Sequence, residues 1–173
     1  MARLIEVESP QEVDETAILA HEIWNEHFPN IIGQSQVDYM LDKFQSVDAI
    51  SGQIKAGQLY YLIECHQEVV GYLSLLFQEG VSHTENSSIQ LSKLYLLKNS
   101  RRQGVAKSVL VLVREIMRQQ GAKRLWLTVN KYNDGAIKAY QKLGFVKVGD
   151  VVKDIGASFV MDDFEMELLI DSG

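Results

Sequence analysis

The chain predicts a mixed α/β fold: a mostly antiparallel sheet of about six or seven strands, with a central parallel strand–helix–strand unit and helices on both faces. Three observations predict it. A strand-like run, Ser88 to Leu97, leads to an amphipathic stretch, Val105 to Gln120, and then to a short apolar run, Arg124 to Val129. A crossover of that length favours parallel, right-handed pairing of the two strands. The runs Gln58 to Glu64 and Glu68 to Phe77 flank His66-Gln67 and read as an antiparallel hairpin, although the Asn-Gly turn signature is missing.

The remaining elements follow in order. Ala2 to Val7 reads as a short first strand. Ser9-Pro10 opens a helix to about His27, with Ser9 as N-cap, Pro10 in the first turn, and Val13, Ala17, Ala20 and Trp24 at helical spacing. Ser35 to Phe44 is a second helix, with Val37, Met40, Leu41 and Phe44 on one side. A shorter helix follows around Val47 to Ile54. Gln78 to Ser87 is polar and loop-like. The Val105–Gln120 helix carries Val105, Val109, Leu112, Val113 and Ile116 as its apolar stripe, and Gly121 stops it. Asn133 to Leu143 is a further helix, ended by Gly144. Phe145 to Val148 and Phe164 to Ile170 read as the last strands. No linker, repeat or low-complexity tract interrupts the chain, so residues 1–173 are expected to form a single domain.

Composition narrows the function classes. The chain has 173 residues and a formal charge of −6, which argues against a nucleic-acid binder held by a basic surface. That charge suits a cationic substrate, and equally a merely solubilising surface. The single cysteine, Cys65, lies in an apolar run, so no internal disulfide forms and buried packing is its ordinary role. No apolar run reaches transmembrane length, and the first residues lack a signal-peptide core. A cytoplasmic protein without membrane or nucleic-acid partners is expected. The four histidines, His21, His27, His66 and His83, lack ligand spacing, so no metal is expected.

The chemistry concentrates in Arg101-Arg102-Gln103-Gly104-Val105-Ala106, at a strand-to-helix turn. Glycine lets the backbone pass close to a ligand or adopt positive φ. The next helix aims unpaired N–H groups and its positive dipole end at the same point. The guest this suits is a phosphate or pyrophosphate, although the Gly-Lys-Ser/Thr end of a nucleotide P-loop is absent. Asn133 and Tyr140 lie seven positions apart, about two turns, and so project from one helix face near a strand end. Read blandly, Tyr140 is a packing residue, Asn133 a helix N-cap, Trp24 and Trp126 core, and Glu22, Glu26, Asp38 and Asp42 a solvated face. The sharper reading makes those acids a rim that attracts a polycation.

Leu94-Tyr95-Leu96-Leu97, Arg101 through Ala106, Asn133-Asp134-Gly135-Ala136-Ile137-Lys138-Ala139-Tyr140 and Leu143-Gly144-Phe145 together resemble the GNAT superfamily of acetyl-CoA-dependent N-acetyltransferases. The likeness is strong over residues 88–148. Leu59-Tyr60-Tyr61-Leu62-Ile63, Val70-Gly71-Tyr72 and Lys98-Asn99-Ser100 add a weaker similarity to the bacterial spermine/spermidine N-acetyltransferases. The resemblance implies a sheet splayed between the parallel strands, with acetyl-CoA as co-substrate in the split. It places the pyrophosphate on Arg101, Arg102, Gln103, Gly104, Val105, Ala106 and Lys107. The main chain around Leu94, Tyr95 and Leu96 would pair with the pantetheine amides like an added strand. Asn133 would contact the cofactor's pantetheine end, and Tyr140 would sit near the thiol sulfur as catalytic acid.

What the resemblance leaves open is the base. Relatives often carry a glutamate on the strand before the pyrophosphate loop, where this chain has Gln90, Ser92 and Lys93. Waters anchored by Gln90 and Ser92, or the carboxylates of Glu64, Glu79 or Glu85, are the alternatives. The expected activity is acetyl transfer to a primary amine, a polyamine or a protein or peptide amine. A non-catalytic acyl-CoA-binding regulatory module is the competing class. A homodimer, paired through outer strands or the first helices, is compatible with either.

Overall fold

The computed structural model describes residues 1–77 and 87–170. The chain runs β1 (Ala2–Glu6), α1 (Pro10–His27), α2 (Pro29–Ile32), α3 (Gln34–Phe44), α4 (Val47–Lys55), β2 (Leu59–Cys65), β3 (Glu68–Phe77), β4 (Ser88–Leu96), α5 (Val105–Gln120), β5 (Arg124–Asn130), α6 (Asp134–Lys142), β6 (Val146–Gly156) and β7 (Phe159–Leu169). The strands form one sheet in the order β1-β2-β3-β4-β5-β7-β6. β4 and β5 are parallel, and the β1–β2, β2–β3, β5–β7 and β6–β7 pairs are antiparallel. The mixed sheet around a parallel crossover is therefore the one the sequence predicts. The loop expected at 78–87 falls almost wholly outside the described residues, as do Glu79, His83 and Glu85.

Two compact units divide the chain: Met1–Leu76 with Lys93–Val113, and Phe77–Ser92 with Arg114–Gly173. In the first, Ser9 caps α1 through a reciprocal box. Its Oγ accepts from Glu12 N at 3.2 Å, and Glu12 Oε1 accepts from Ser9 N at 2.9 Å. The buried face of α1 carries Val13, Leu19, Ala20, Ile23 and Trp24 and packs against α3 and α4. Ile50, Leu62, Ile63, Tyr72, Leu73 and Leu75 complete this core at 2% exposure or less. Each such aliphatic side chain is worth about 1.5–3 kcal/mol of burial. His66 (φ 51°) and Gln67 (φ 68°) both take positive φ, so the hairpin turn is of type I′ without Asn-Gly.

In the second unit, Leu125, Leu127 and Val129 stand opposite Leu168, Met166 and Phe164 in the β5–β7 ladder. The last hairpin departs from expectation. β6 and β7 are eleven residues each rather than two short runs, and they join through Ala157 (φ 53°) and Ser158 (φ 66°). Gly149, Asp150, Asp154, Asp162 and Asp163 carry poor strand propensity, and the edge strand β6 is mostly exposed. The ladder to β7 holds the strand where local pattern does not. The short helix α2 was also unassigned by the sequence; Pro29 starts it and Gly33, at φ 83°, separates it from α3.

Candidate active site

In the first unit, β4 delivers Leu94, Tyr95 and Leu96 to its C-terminal end. Leu97 N donates to Val70 O at 2.8 Å, tying that end to β3. Gly71 permits this approach, because a Cβ there would overlap the Tyr95 carbonyl oxygen. The Tyr95 ring turns toward α1 and meets Trp24 edge-on at 5.4 Å and Phe28 at 6.1 Å, with Tyr72 at 5.5 Å. The sequence reading of Trp24 as core holds, since it is 3% exposed.

A single 3₁₀ turn, Lys98–Ser100, leads into the arginine–glycine bend. Arg101 folds back, its Nε donating to Leu96 O at 3.0 Å while its guanidinium pairs with Glu26 at 3.4 Å. Gln103 Nε2 donates to Asn99 O at 2.6 Å. Arg102 adopts φ 62° and Gly104 φ 79°, and a Cβ at Gly104 would meet nothing within 4 Å. The bend therefore presents open backbone where α5 begins. The N–H groups of that first turn have no acceptor inside the helix. Arg102, Gln103, Gly104 and Lys107 are exposed, whereas Val105 points into the core. Ser108 Oγ accepts from Ala2 N at 3.1 Å, which fixes the start of α5 to β1.

Lys93 is the surprise on β4. Strand alternation buries it, and its ammonium donates to Phe44 O at 2.6 Å, to Gln53 Oε1 at 3.1 Å and to the Tyr60 hydroxyl. Burial pulls its pKa down to about 7. It sits beneath the α3–α4 corner. Of the carboxylates suggested as proton acceptors, Glu64 is tied to Arg3 at 2.8 Å.

In the second unit, Asn130 ends β5 and folds the chain into α6. Its Oδ1 accepts from Tyr132 N at 2.9 Å, and its carbonyl accepts from Asn133 N at 3.0 Å. Asn133 occupies the N-cap position and is buried. It is thus the N-cap that the sequence suggests by position, although its side chain does not make the capping hydrogen bond. Tyr140 is partly exposed and packs edge-on against Phe145 at 5.5 Å. Burial pushes its phenol up to about 12. Phe145 N donates to Tyr140 O at 3.0 Å, and Gly144 takes φ 102° to make that return possible.

The sequence reading missed Asp163. It lies on β7 opposite Asn130, is 5% exposed, and has its carboxyl raised to about 6 by burial and by neighbouring Asp162. No local pattern marks it, because only the β5–β7 register brings it to the end of β5.

Among the described residues no group of His, Cys, Asp and Glu is arranged to hold a metal, and no helix is long and apolar enough to cross a membrane. Residues 18–145 match the acetyltransferase (GNAT) family. The chain is 30% identical over 113 residues to the uncharacterized N-acetyltransferase YjgM of Escherichia coli (strain K12), covering 65% of this chain and 63% of that protein. It is also 30% identical over 93 residues to human N-acetyltransferase 8, covering 54% of this chain and 40% of that one. The alignments thus span less than two thirds of either relative. In fold, the chain is similar to the PaiA N-acetyltransferase of Thermoplasma acidophilum in complex with coenzyme A, with a TM-score of 0.73, 18% identity, and 98% and 99% of the two chains covered. A probable acetyltransferase from Staphylococcus epidermidis is comparably similar, with a TM-score of 0.75, 14% identity, and 98% and 99% covered.

Proposed function

The chain belongs to the acetyltransferase (GNAT) family, and from that premise we propose that it moves the acetyl group of acetyl-CoA to a primary amine by direct attack in a ternary complex. The observation that carries this reading is the bend at Arg101–Gly104. Two residues at positive φ, open space beside Gly104 and the start of α5 together suit a diphosphate. The backbone amides of Gln103 to Ala106 would hold it, with Arg102 and Lys107 supplying charge. The main chain of Leu94 and Leu96 would pair with the pantetheine amides. Leu96 O accepts from Arg101 Nε, which holds the strand end against the bend.

Acetyl-CoA supplies an activated thioester, so the protein's task is positioning and proton transfer. Tyr140, with a pKa of about 12, stays protonated at neutral pH and donates a hydrogen bond to the leaving sulfur. Full transfer to a thiolate, whose ordinary pKa is about 8.5, would be uphill by roughly 5 kcal/mol before the complex forms. Tyr140 therefore acts first as a hydrogen-bond donor. Its proton moves only as the thiolate becomes desolvated.

A polyamine acceptor is the finer reading. The chain's −6 charge supports it, as does Asp163, the one carboxylate among Asp163, Glu165 and Glu167 on β7 that Arg124 does not hold. A second reading, a non-catalytic acyl-CoA-binding module, is favoured by one observation: β4 presents Gln90 and Ser92, with no carboxylate between them. A thiol-release assay with spermidine, lysine and a peptide amine separates the two. Turnover on any of them supports the enzyme, and the rank order names the acceptor class. Coenzyme A binding without turnover supports the module.

A further inference from the structure

We infer that Asp163 is the group that takes the proton from the attacking amine, at the Asn130 end of β5; this rests on the acetyl-transfer reading above. Its geometry is fixed by the β5–β7 ladder. Asn130 pairs with Asp163, Thr128 with Glu165 and Trp126 with Glu167. These residues share one sheet face, and Leu125, Leu127 and Val129 take the other. Gln90, the register partner of Trp126 on β4, extends the same face. Ligands of α/β sheets gather beyond the carboxyl ends of parallel strands, and Asn130 is that end of β5.

Three features separate Asp163 from its neighbours. First, Glu165 and Glu167 are committed to Arg124, at 3.2 and 2.5 Å, and Asp162 to Lys131 at 2.8 Å. Asp163 forms no ion pair among the described residues, and its hydrogen-bond partner is the neutral Thr128 side chain. Second, it is the most buried carboxylate of the three on that face, at 5% exposure. Third, the Trp126 indole N–H on the same face is buried and has no hydrogen-bond partner among the described residues. A buried carboxylate without an ion pair and a buried donor without an acceptor, both on one face among the described residues, are groups that a bound ligand would satisfy.

The surroundings also set the proton affinity. β5 contributes Thr128, Asn130 and, just past its end, Lys131. β6 contributes Val151 opposite Asp163, flanked by Asp150, and β7 itself contributes Asp162 and Glu165. Burial and Asp162 raise the carboxyl, while Thr128 and Lys131 lower it, with a net rise to about 6. At neutral pH Asp163 is mostly ionised, yet it is a better base than an ordinary carboxylate.

The step balances as follows. The ammonium of the acceptor gives one proton to Asp163, which later releases it to water. The nitrogen lone pair forms the N–C bond to the acetyl carbon as the C–S bond breaks. Tyr140 gives its proton to the thiolate, and the second nitrogen proton restores the Tyr140 phenol. The products are an N-acetylamine, coenzyme A thiol and one proton.

The test compares wild type, Asp163→Asn and Asp163→Glu for coenzyme A affinity by calorimetry and for the pH profile of kcat/KM with spermidine. Asp163→Asn is expected to keep coenzyme A affinity within about twofold, to lose roughly 100-fold or more in kcat/KM at pH 7, and to lose the acidic limb near pH 6. Asp163→Glu is expected to restore part of the rate with a shifted limb, which a merely structural carboxyl would not produce. An Asp163→Asn protein that retains both the rate and the limb overturns the assignment and leaves acetyl transfer standing. A wild-type protein that binds coenzyme A but acetylates no amine overturns the acetyl-transfer reading itself, and this assignment with it. Carbon-13 titration of the Asp163 carboxyl gives an activity-independent check: a midpoint near 4 counts against the base role, and one near 6 supports it.

Discussion

The Arg101 side chain closes on the main chain of the strand it follows, donating Nε–H to the Leu96 carbonyl at 3.0 Å. Glu26, on α1, takes the other end of the guanidinium at 3.4 Å. Arg101 therefore holds the shape of the bend as well as contributing charge, and Arg102 is the more exposed cation of the pair. Removing the clamp should loosen the cradle. Arg101→Ala is expected to weaken coenzyme A binding about tenfold, and Glu26→Gln by roughly two- to threefold, since a half-exposed ion pair is worth about 1 kcal/mol or less. Calorimetric titration of both variants checks this order.

Tyr140→Phe keeps the ring against Phe145 and removes only the hydroxyl. The expected outcome is a fall in kcat of about tenfold to 100-fold with coenzyme A affinity unchanged. Because the phenol sits near 12, the wild type should show no alkaline limb from Tyr140 below about pH 10. Steady-state kinetics from pH 6 to 10 read both effects.

Lys93 offers a stability test independent of activity. Burial lowers its folded pKa to about 7 from an ordinary 10.5. Between those values the unfolded chain holds a proton that the folded chain has given up. Stability therefore rises with pH through this window, by at most about 1.4 kcal/mol per pH unit from this group. Below pH 7 both states are protonated and the contribution is flat. Wild type should gain on Lys93→Met as pH rises from 7 to 10 in urea unfolding. A constant difference between the two proteins would show that Lys93 titrates at its ordinary value.

Gly71 has no room for a side chain. A Cβ there overlaps the Tyr95 carbonyl oxygen and presses on Leu96, so β3 and β4 would have to part. Gly71→Ala is expected to destabilise the fold by about 2–4 kcal/mol, while Gly57→Ala, at an open turn, is expected to cost about 1–2 kcal/mol from its positive φ alone. Denaturant midpoints of the two variants distinguish the effects.

Much of this was legible in the sequence because the relevant signals are local. Ser9 and Glu12 form their capping box three residues apart, Gly121 stops α5 at φ 69°, and Val105, Val109 and Val113 of the expected stripe are buried, although Leu110 and Met117 rather than Leu112 and Ile116 complete it. The bend was legible for the same reason: two arginines and a glycine sit at a strand-to-helix junction. Asp163 and Lys93 were not legible in this way. One owes its burial to a ladder between distant strands, and the other lies under a helix corner at Phe44, 49 residues away in sequence. A lysine in an alternating strand gives no hint that three acceptors await it. The long β6–β7 hairpin was hidden because its glycine and aspartates look like loop until β7 pairs with them.

The central claim is that the Arg101–Gly104 bend grips the diphosphate of coenzyme A, and calorimetry of Gly104→Glu against wild type tests it most directly. The substitution puts a carboxylate into the open space beside the bend and a side chain where φ is +79°. Saturable one-site uptake of coenzyme A by wild type, weakened by roughly 100-fold or more in a Gly104→Glu protein that still melts cooperatively, is the expected result. Equal affinity in the two folded proteins, or no uptake by wild type, would contradict it.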